Sequence, residues 1–245
     1  MLLLLAASAF ADVAYCAPGS VEYLWPEANA VEVPTNAVPF AIASPCPDEG
    51  GDVVGSLKDA AGVELATATV TLKAGGYSDL VTVAPGPLTA GAHYDFGVSS
   101  RANEVDSGFT VGTAEAEALT EGPSLTLSEV TVEGEGGGNA SVTVEAPAGA
   151  LAIAVFGNSG DREHLMSAAD ATSYALALQV LVAPGEEFCA SASALDATGT
   201  WTDGEEVCTT AKSGYTSICG VTGASSVSML GLGIGALLVG RRRGR

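Results

Sequence analysis

The chain reads as all-β, organised as two sandwiches in tandem. Three observations predict this. Apolar side chains alternate at period two, as in Tyr94, Phe96, Val98 and in Tyr174, Leu176, Leu178, Val180, and no window of helical length sustains an apolar stripe at period 3.6. Turn formers cluster between these runs, as in Asp48-Glu49-Gly50-Gly51-Asp52, Ala74-Gly75-Gly76 and Gly134-Glu135-Gly136-Gly137-Gly138-Asn139. An apolar-x-x-Gly-x-x-aromatic signature, Leu88, Gly91, Tyr94, recurs 94 residues later as Val182, Gly185, Phe188.

Residues 1–11 open with Leu2 to Leu5 and close on Ala9-Phe10-Ala11, a short apolar run followed by small-x-small. That pattern predicts a secretory signal peptide cleaved before Asp12. Residues 12–113 form the first predicted module. It carries Trp25-Pro26-Glu27-Ala28-Asn29-Ala30, then Val33-Pro34-Thr35-Asn36, and closes with Leu88-Thr89-Ala90-Gly91-Ala92-His93-Tyr94 and Gly108-Phe109-Thr110-Val111. These segments resemble the bacterial immunoglobulin-like domains of S-layer and cell-surface proteins. The Leu88-Gly91-Tyr94 spacing resembles a tyrosine corner, in which the ring enters the core and its hydroxyl donates back to the chain.

Residues 114–123, small and acidic, read as a linker that sets the modules apart. The second module, 124–212, has the alternating pairs Val142 with Val144 and Leu151, Ile153 with Val155, and one candidate helical turn at Asp161 to Ala169. Its segment Glu187-Phe188-Cys189-Ala190-Ser191-Ala192, followed by Glu206-Val207-Cys208, resembles fibronectin type III-like domains of secreted bacterial proteins.

The tail, 213–245, holds an uncharged span at 221–240 followed by Arg241, Arg242, Arg243 and Arg245. About 20 residues suffice for a helix to cross a bilayer, and arginines at its end are retained in the cytoplasm. Cys219-Gly220, the Gly- and Ser-rich span and the terminal Arg cluster together resemble the MYXO-CTERM type of C-terminal sorting tail. That resemblance implies processing by a membrane protease and surface attachment at Cys219. A plain single-pass anchor is the alternative.

Function classes are bounded by charge. The chain of 245 residues has 29 Asp and Glu against 9 Lys and Arg. Between 12 and 220 all 29 acids meet only Lys58, Lys73, Arg101, Arg162 and Lys212, which leaves −24. Such a surface offers nothing to neutralise phosphates, so a nucleic-acid partner is excluded.

Five cysteines in an exported chain predict two disulfides and one leftover thiol. Cys189 and Cys208, which bracket the last hairpin, are the first expected pair, and Cys16 with Cys46 the second. Cys219 remains unpaired. Tyr15 is too large for Cys16 to be a lipobox cysteine, and no Cys or His pair has zinc-ligand spacing. The acidic loop at 48–52 departs from the EF-hand pattern and reads as a solvated turn.

Catalytic residues are scarce. His93 sits beside the corner tyrosine, and His164 with Asp161 and Glu163 is the only acid-His group, unaccompanied by a nucleophile motif such as GxSxG. No catalytic residue, metal or cofactor is therefore expected. The sequence predicts an exported, membrane-anchored, non-enzymatic surface protein with a structural or adhesive role and a surface glycan or protein as its ligand. The alternatives are a secreted hydrolase or enzyme accessory using Asp161 and His164, and a passive envelope spacer.

Overall fold

The computed structural model describes residues 20–44, 53–69, 72–74, 78–99, 104–128, 130–132, 137–157, 162–168 and 171–214. The expected signal peptide, Cys16, Cys46, the acidic loop 48–52, Asp161, Cys219, the 221–240 span and Arg241 to Arg243 lie outside them. Among the described residues every regular element is a β-strand, and no helix is long and apolar enough to cross a membrane.

The first sandwich comprises β1 (Ser20–Trp25), β2 (Phe40–Ser44), β3 (Val54–Asp59), β4 (Glu64–Thr69), β5 (Leu72–Ala74), β6 (Ser78–Thr82), β7 (His93–Ser99) and β8 (Glu104–Thr110). Its two sheets have the orders β1-β2-β6-β5 and β4-β3-β7-β8, with antiparallel neighbours throughout. This is the Greek-key order of an immunoglobulin-like sandwich. The alternation found in the sequence sends Tyr94, Phe96 and Val98 inward, where they meet Ala41, Ala43, Val81 and Phe109. Gly55 lets the two sheets approach closely, since a Cβ there would stand 2.7 Å from Val81 Cγ1 and 2.8 Å from Val83 Cγ2. After β1 the chain changes sheets: the buried Ser107 hydroxyl donates to the Pro26 carbonyl at 2.6 Å, and Val33 then lies parallel to Val111.

The second sandwich comprises β9 (Ser124–Leu127), β10 (Thr131–Val132), β11 (Gly138–Glu145), β12 (Ala152–Phe156), β13 (Arg162–Ser167), β14 (Ser173–Val180), β15 (Glu187–Leu195), β16 (Trp201–Asp203), β17 (Val207–Thr210) and β18 (Lys212–Ser213). One sheet has the order β14-β11-β10-β18, with β9 also on β11; the other has β13-β12-β15-β16, with β17 also on β15. The segment expected to hold a helical turn is β13 instead. Its register against β12, with Leu165 opposite Ala154, buries Leu165, and one apolar face is what a strand here requires.

A third core joins the two sandwiches. In β2, Ala41 and Ala43 face the first interior, while Phe40 and Ile42 point to the opposite side. In β12, Ile153 and Val155 face the second interior, while Ala152 and Ala154 point away from it. Phe40, Ile42 and Leu80 of the first sandwich meet Ala152, Ala154, Leu165 and Leu195 of the second, and Tyr23, Trp25, Phe156 and Trp201 pack at the margin. The linker was expected to hold the modules apart, yet the outer face of one sheet is laid on the outer face of the other. Burying each large apolar side chain stabilises by about 1.5–3 kcal/mol, so this shared core favours the docked arrangement.

Candidate functional site

The sandwich-to-sandwich junction is the most elaborated polar site among the described residues. Asp196 directly follows β15 and is 1% exposed. Its Oδ1 accepts from Thr198 N (2.8 Å), Thr198 Oγ1 (2.6 Å) and Thr200 N (3.1 Å). Its Oδ2 accepts from Leu119 N in the linker at 3.1 Å. A buried carboxylate is tolerated only when hydrogen-bonded, and this one is satisfied on both oxygens.

The rest of the junction combines backbone contacts with the Asn36 side chain. Ala197 O accepts from Val38 N at 2.9 Å, and Gly199, at φ 78°, lies against Val38. The Asn36 side chain brackets Ala116, donating to its carbonyl at 3.0 Å and accepting from its amide at 2.7 Å. The linker is thereby tied to the first sandwich through Ala116 and to the second through Leu119.

The turn at Asp196 belongs to a pattern that occurs twice. Asp59 Oδ1 accepts from Ala61 N and Val63 N, both at 2.9 Å, with Gly62 at φ 78°. Asp-x-x-Gly supplies a carboxylate that caps amides two and four residues on, and a glycine for the left-handed position. Sequence reasoning passed over the Asp59 turn and the cap that Asp196 makes inside the last hairpin, although Asp59-Ala60-Ala61-Gly62 and Asp196-Ala197-Thr198-Gly199 carry the signal.

The two corners repeat in detail. Gly91 N donates to Val111 O and Gly185 N to Ala211 O, both at 2.8 Å. Thr89 N donates to the Tyr94 hydroxyl at 3.0 Å, so the hydroxyl accepts at this bond, where the sequence reading had it donate. Phe188 has no hydroxyl. The equivalent amide, Ala183 N, is capped by Glu186 Oε2 at 2.9 Å.

Of the alternative acid-His group, Asp161 and the Glu163 side chain lie outside the described residues. His164 sits opposite Val155 in β13, and its Nε2 contacts Ala177 O on β14 at 3.1 Å, so that nitrogen is spent on a backbone carbonyl across the open side of the sandwich. His93 begins β7; its Nε2 is 3.5 Å from Asp95 Oδ1, and both side chains are about half exposed. A solvated pair of this kind contributes little to stability.

Cys189 and Cys208 form a disulfide. They are direct register partners on β15 and β17 with Cα atoms 4.0 Å apart, so the bridge staples neighbouring strands of one sheet rather than joining the two sheets. Phe188 and Ala190 on the same strand face the interior, which puts the cysteines on the outer face, beyond the stretch covered by the first sandwich. Glu187, Cys189 and Cys208 each bring one ligand-type atom within 4.8 Å of the others.

No protein-family model and no curated protein matches this chain. Among solved structures it is similar to the tandem immunoglobulin repeats of Dlar, at 15% identity and a TM-score of 0.26 over 80% of this chain and 98% of that one. A chimeric titin Z1Z2 carrying a peptide from decorin matches at 14% identity and a TM-score of 0.24 over 80% of this chain and 95% of that one. A pullulanase from Anoxybacillus sp. LM18-11, complexed with maltotriose, matches at 12% identity and a TM-score of 0.24 over 71% of this chain, which spans only 24% of the pullulanase. At such scores the likeness adds nothing to the strand order, which places both halves of the chain in the immunoglobulin-like class.

Proposed function

We propose that the chain is an exported, surface-anchored, non-enzymatic protein whose two immunoglobulin-like sandwiches act as one stiff unit with a structural or adhesive role. The third core carries this reading: two sandwiches that bury Phe40, Ile42 and Leu80 against Leu165 and Leu195, with the linker bonded on both sides, present their outer loops in a fixed relation. Adhesion and envelope packing both benefit from such stiffness, because less freedom is lost on contact. In finer detail, the first sandwich follows the S-layer-type immunoglobulin-like domains. The second, with no strand on the far side of β14 among the described residues, follows the fibronectin type III plan. The signal peptide at 1–11 and the tail with Cys219 and Arg241 to Arg243 supply export and attachment, with a membrane protease as the processing partner.

The test is proteolytic shaving of intact cells followed by mass spectrometry. Surface peptides from the sandwiches, with no peptide containing Arg241 to Arg245 in the surface fraction, are expected, and Cys219→Ser is expected to leave an unprocessed form in the inner membrane. Recovery of the protein from the cytosol alone would overturn export. A surface form that retains the Arg peptide would leave an ordinary transmembrane anchor.

A further inference from the structure

We propose that the Cys189–Cys208 pair, once reduced, forms with Glu187 a site for a thiophilic divalent cation of the zinc class. The two cysteines are held by the ladder and not only by their own bond: Glu187 pairs with Thr210, Phe188 with Thr209 and Ala190 with Val207 on either side of the bridge. Phe188 and Ala190 are buried in the second core, which fixes β15 independently of the sulfurs. Reduction therefore leaves two thiols facing each other across one antiparallel step. Glu187, two residues before Cys189, stands on the same face by the two-residue period of the strand.

The two sulfurs and one carboxylate oxygen lie within 4.8 Å of one another, so once the S–S bond opens and the sulfurs separate they can supply three of the four positions of a tetrahedral zinc site, and water can take the fourth because Glu187 and Cys208 are exposed. The chemistry balances simply. A dithiol reductant gives two electrons and two protons to the S–S bond and becomes a cyclic disulfide; the cation then displaces both thiol protons and binds two thiolates. The same three residues thus hold a covalent staple under oxidising conditions and a chelate under reducing ones. The two states exclude each other, because a disulfide sulfur is no longer a thiolate ligand.

The experiment uses the full chain with Cys16, Cys46 and Cys219 replaced by serine, reduced anaerobically with a phosphine that leaves no competing thiol, and titrated with Co2+. One equivalent is expected to produce the thiolate-to-cobalt charge-transfer band and intense visible bands of tetrahedral cobalt, both abolished by added Zn2+. The oxidised protein is expected to show neither. Glu187→Gln is expected to weaken binding by about tenfold or more while the charge-transfer band survives, and Cys208→Ser to remove that band. Absence of the band in the reduced protein, or loss of its β-sheet circular dichroism on reduction, would overturn the site. An affinity unchanged by Glu187→Gln would overturn the third ligand.

Discussion

The two sandwiches meet the same structural demands with different residues. At the corner preceding the long strand β7 or β15, an amide is turned away from the ladder and needs an acceptor. The first sandwich supplies the buried Tyr94 hydroxyl to Thr89 N; the second supplies the exposed Glu186 carboxylate to Ala183 N. At the sheet edge, β6 is covered by β5, whereas on the corresponding strand β14 the Ala177 carbonyl takes the His164 side chain. The fold dictates which backbone group must be satisfied and leaves open which side chain does it. The His164 imidazole, on this comparison, caps a backbone carbonyl at the sheet edge.

Substitutions can break the comparison, beginning where both halves contribute. Phe40→Ala is expected to cost about 3–5 kcal/mol, because it opens a cavity in the third core where Phe40 stacks on Trp25. Urea denaturation followed by tryptophan fluorescence checks this, since Trp25 and Trp201 both border that core. The wild type is expected to unfold in one transition. Two separated transitions in the wild type would show that the sandwiches are stable independently.

Replacing both Cys189 and Cys208 by serine is expected to cost about 3 kcal/mol and to shift the single unfolding transition, with amide protection lost first in the second sandwich. Hydrogen exchange resolved by segment checks where protection is lost first. Tyr94→Phe is expected to cost about 1–2 kcal/mol, since Thr89 N loses its acceptor beside a buried ring. Glu186→Ala, at an exposed site where water replaces the carboxylate, is expected to cost less than about 1 kcal/mol. Equal effects of these last two substitutions in thermal denaturation would remove the distinction between the corners. His164→Ala is expected to leave any hydrolytic activity of a purified preparation unchanged, and an activity abolished by it would restore the acid-His reading.

Much of the architecture was legible because most strands keep one face toward solvent. In β11 the pattern Ala140, Val142, Val144 inside with Asn139, Ser141, Thr143 outside gives an alternation that survives any choice of window. The corner was legible because a left-handed glycine, Gly91 or Gly185, must stand three residues before the ring. The third core was not. Phe40-Ala41-Ile42-Ala43 and Ala152-Ile153-Ala154-Val155 are continuous apolar runs, and reading only Leu151, Ile153 and Val155 hid half of the second one. Such runs mark strands buried on both faces. What covers the second face is set by a sheet far away in the chain, which no local period encodes. The site was less legible still: Asp196 is one of 29 acids, and only the hairpin around it distinguishes it.

The parallel contacts at the start and end of each sandwich bear on how the chain responds to tension. Val33 N donates to Thr110 O at 3.2 Å and Gly112 N to Val33 O at 2.8 Å; in the second sandwich Lys212 N donates to Val130 O and Gly214 N to Val132 O, both at 2.8 Å. In each case an early segment runs alongside a late one in the same direction. Pulling the chain by its two ends drags these segments past each other, so the bonds of a patch are strained together in shear, whereas an antiparallel pair pulled at its open end peels one bond at a time. A tethered chain of this design is expected to hold under drag that would unzip a hairpin. In single-molecule extension, Val33→Pro, which removes the amide bonded to Thr110, is expected to lower the rupture force of the first sandwich and leave that of the second unchanged.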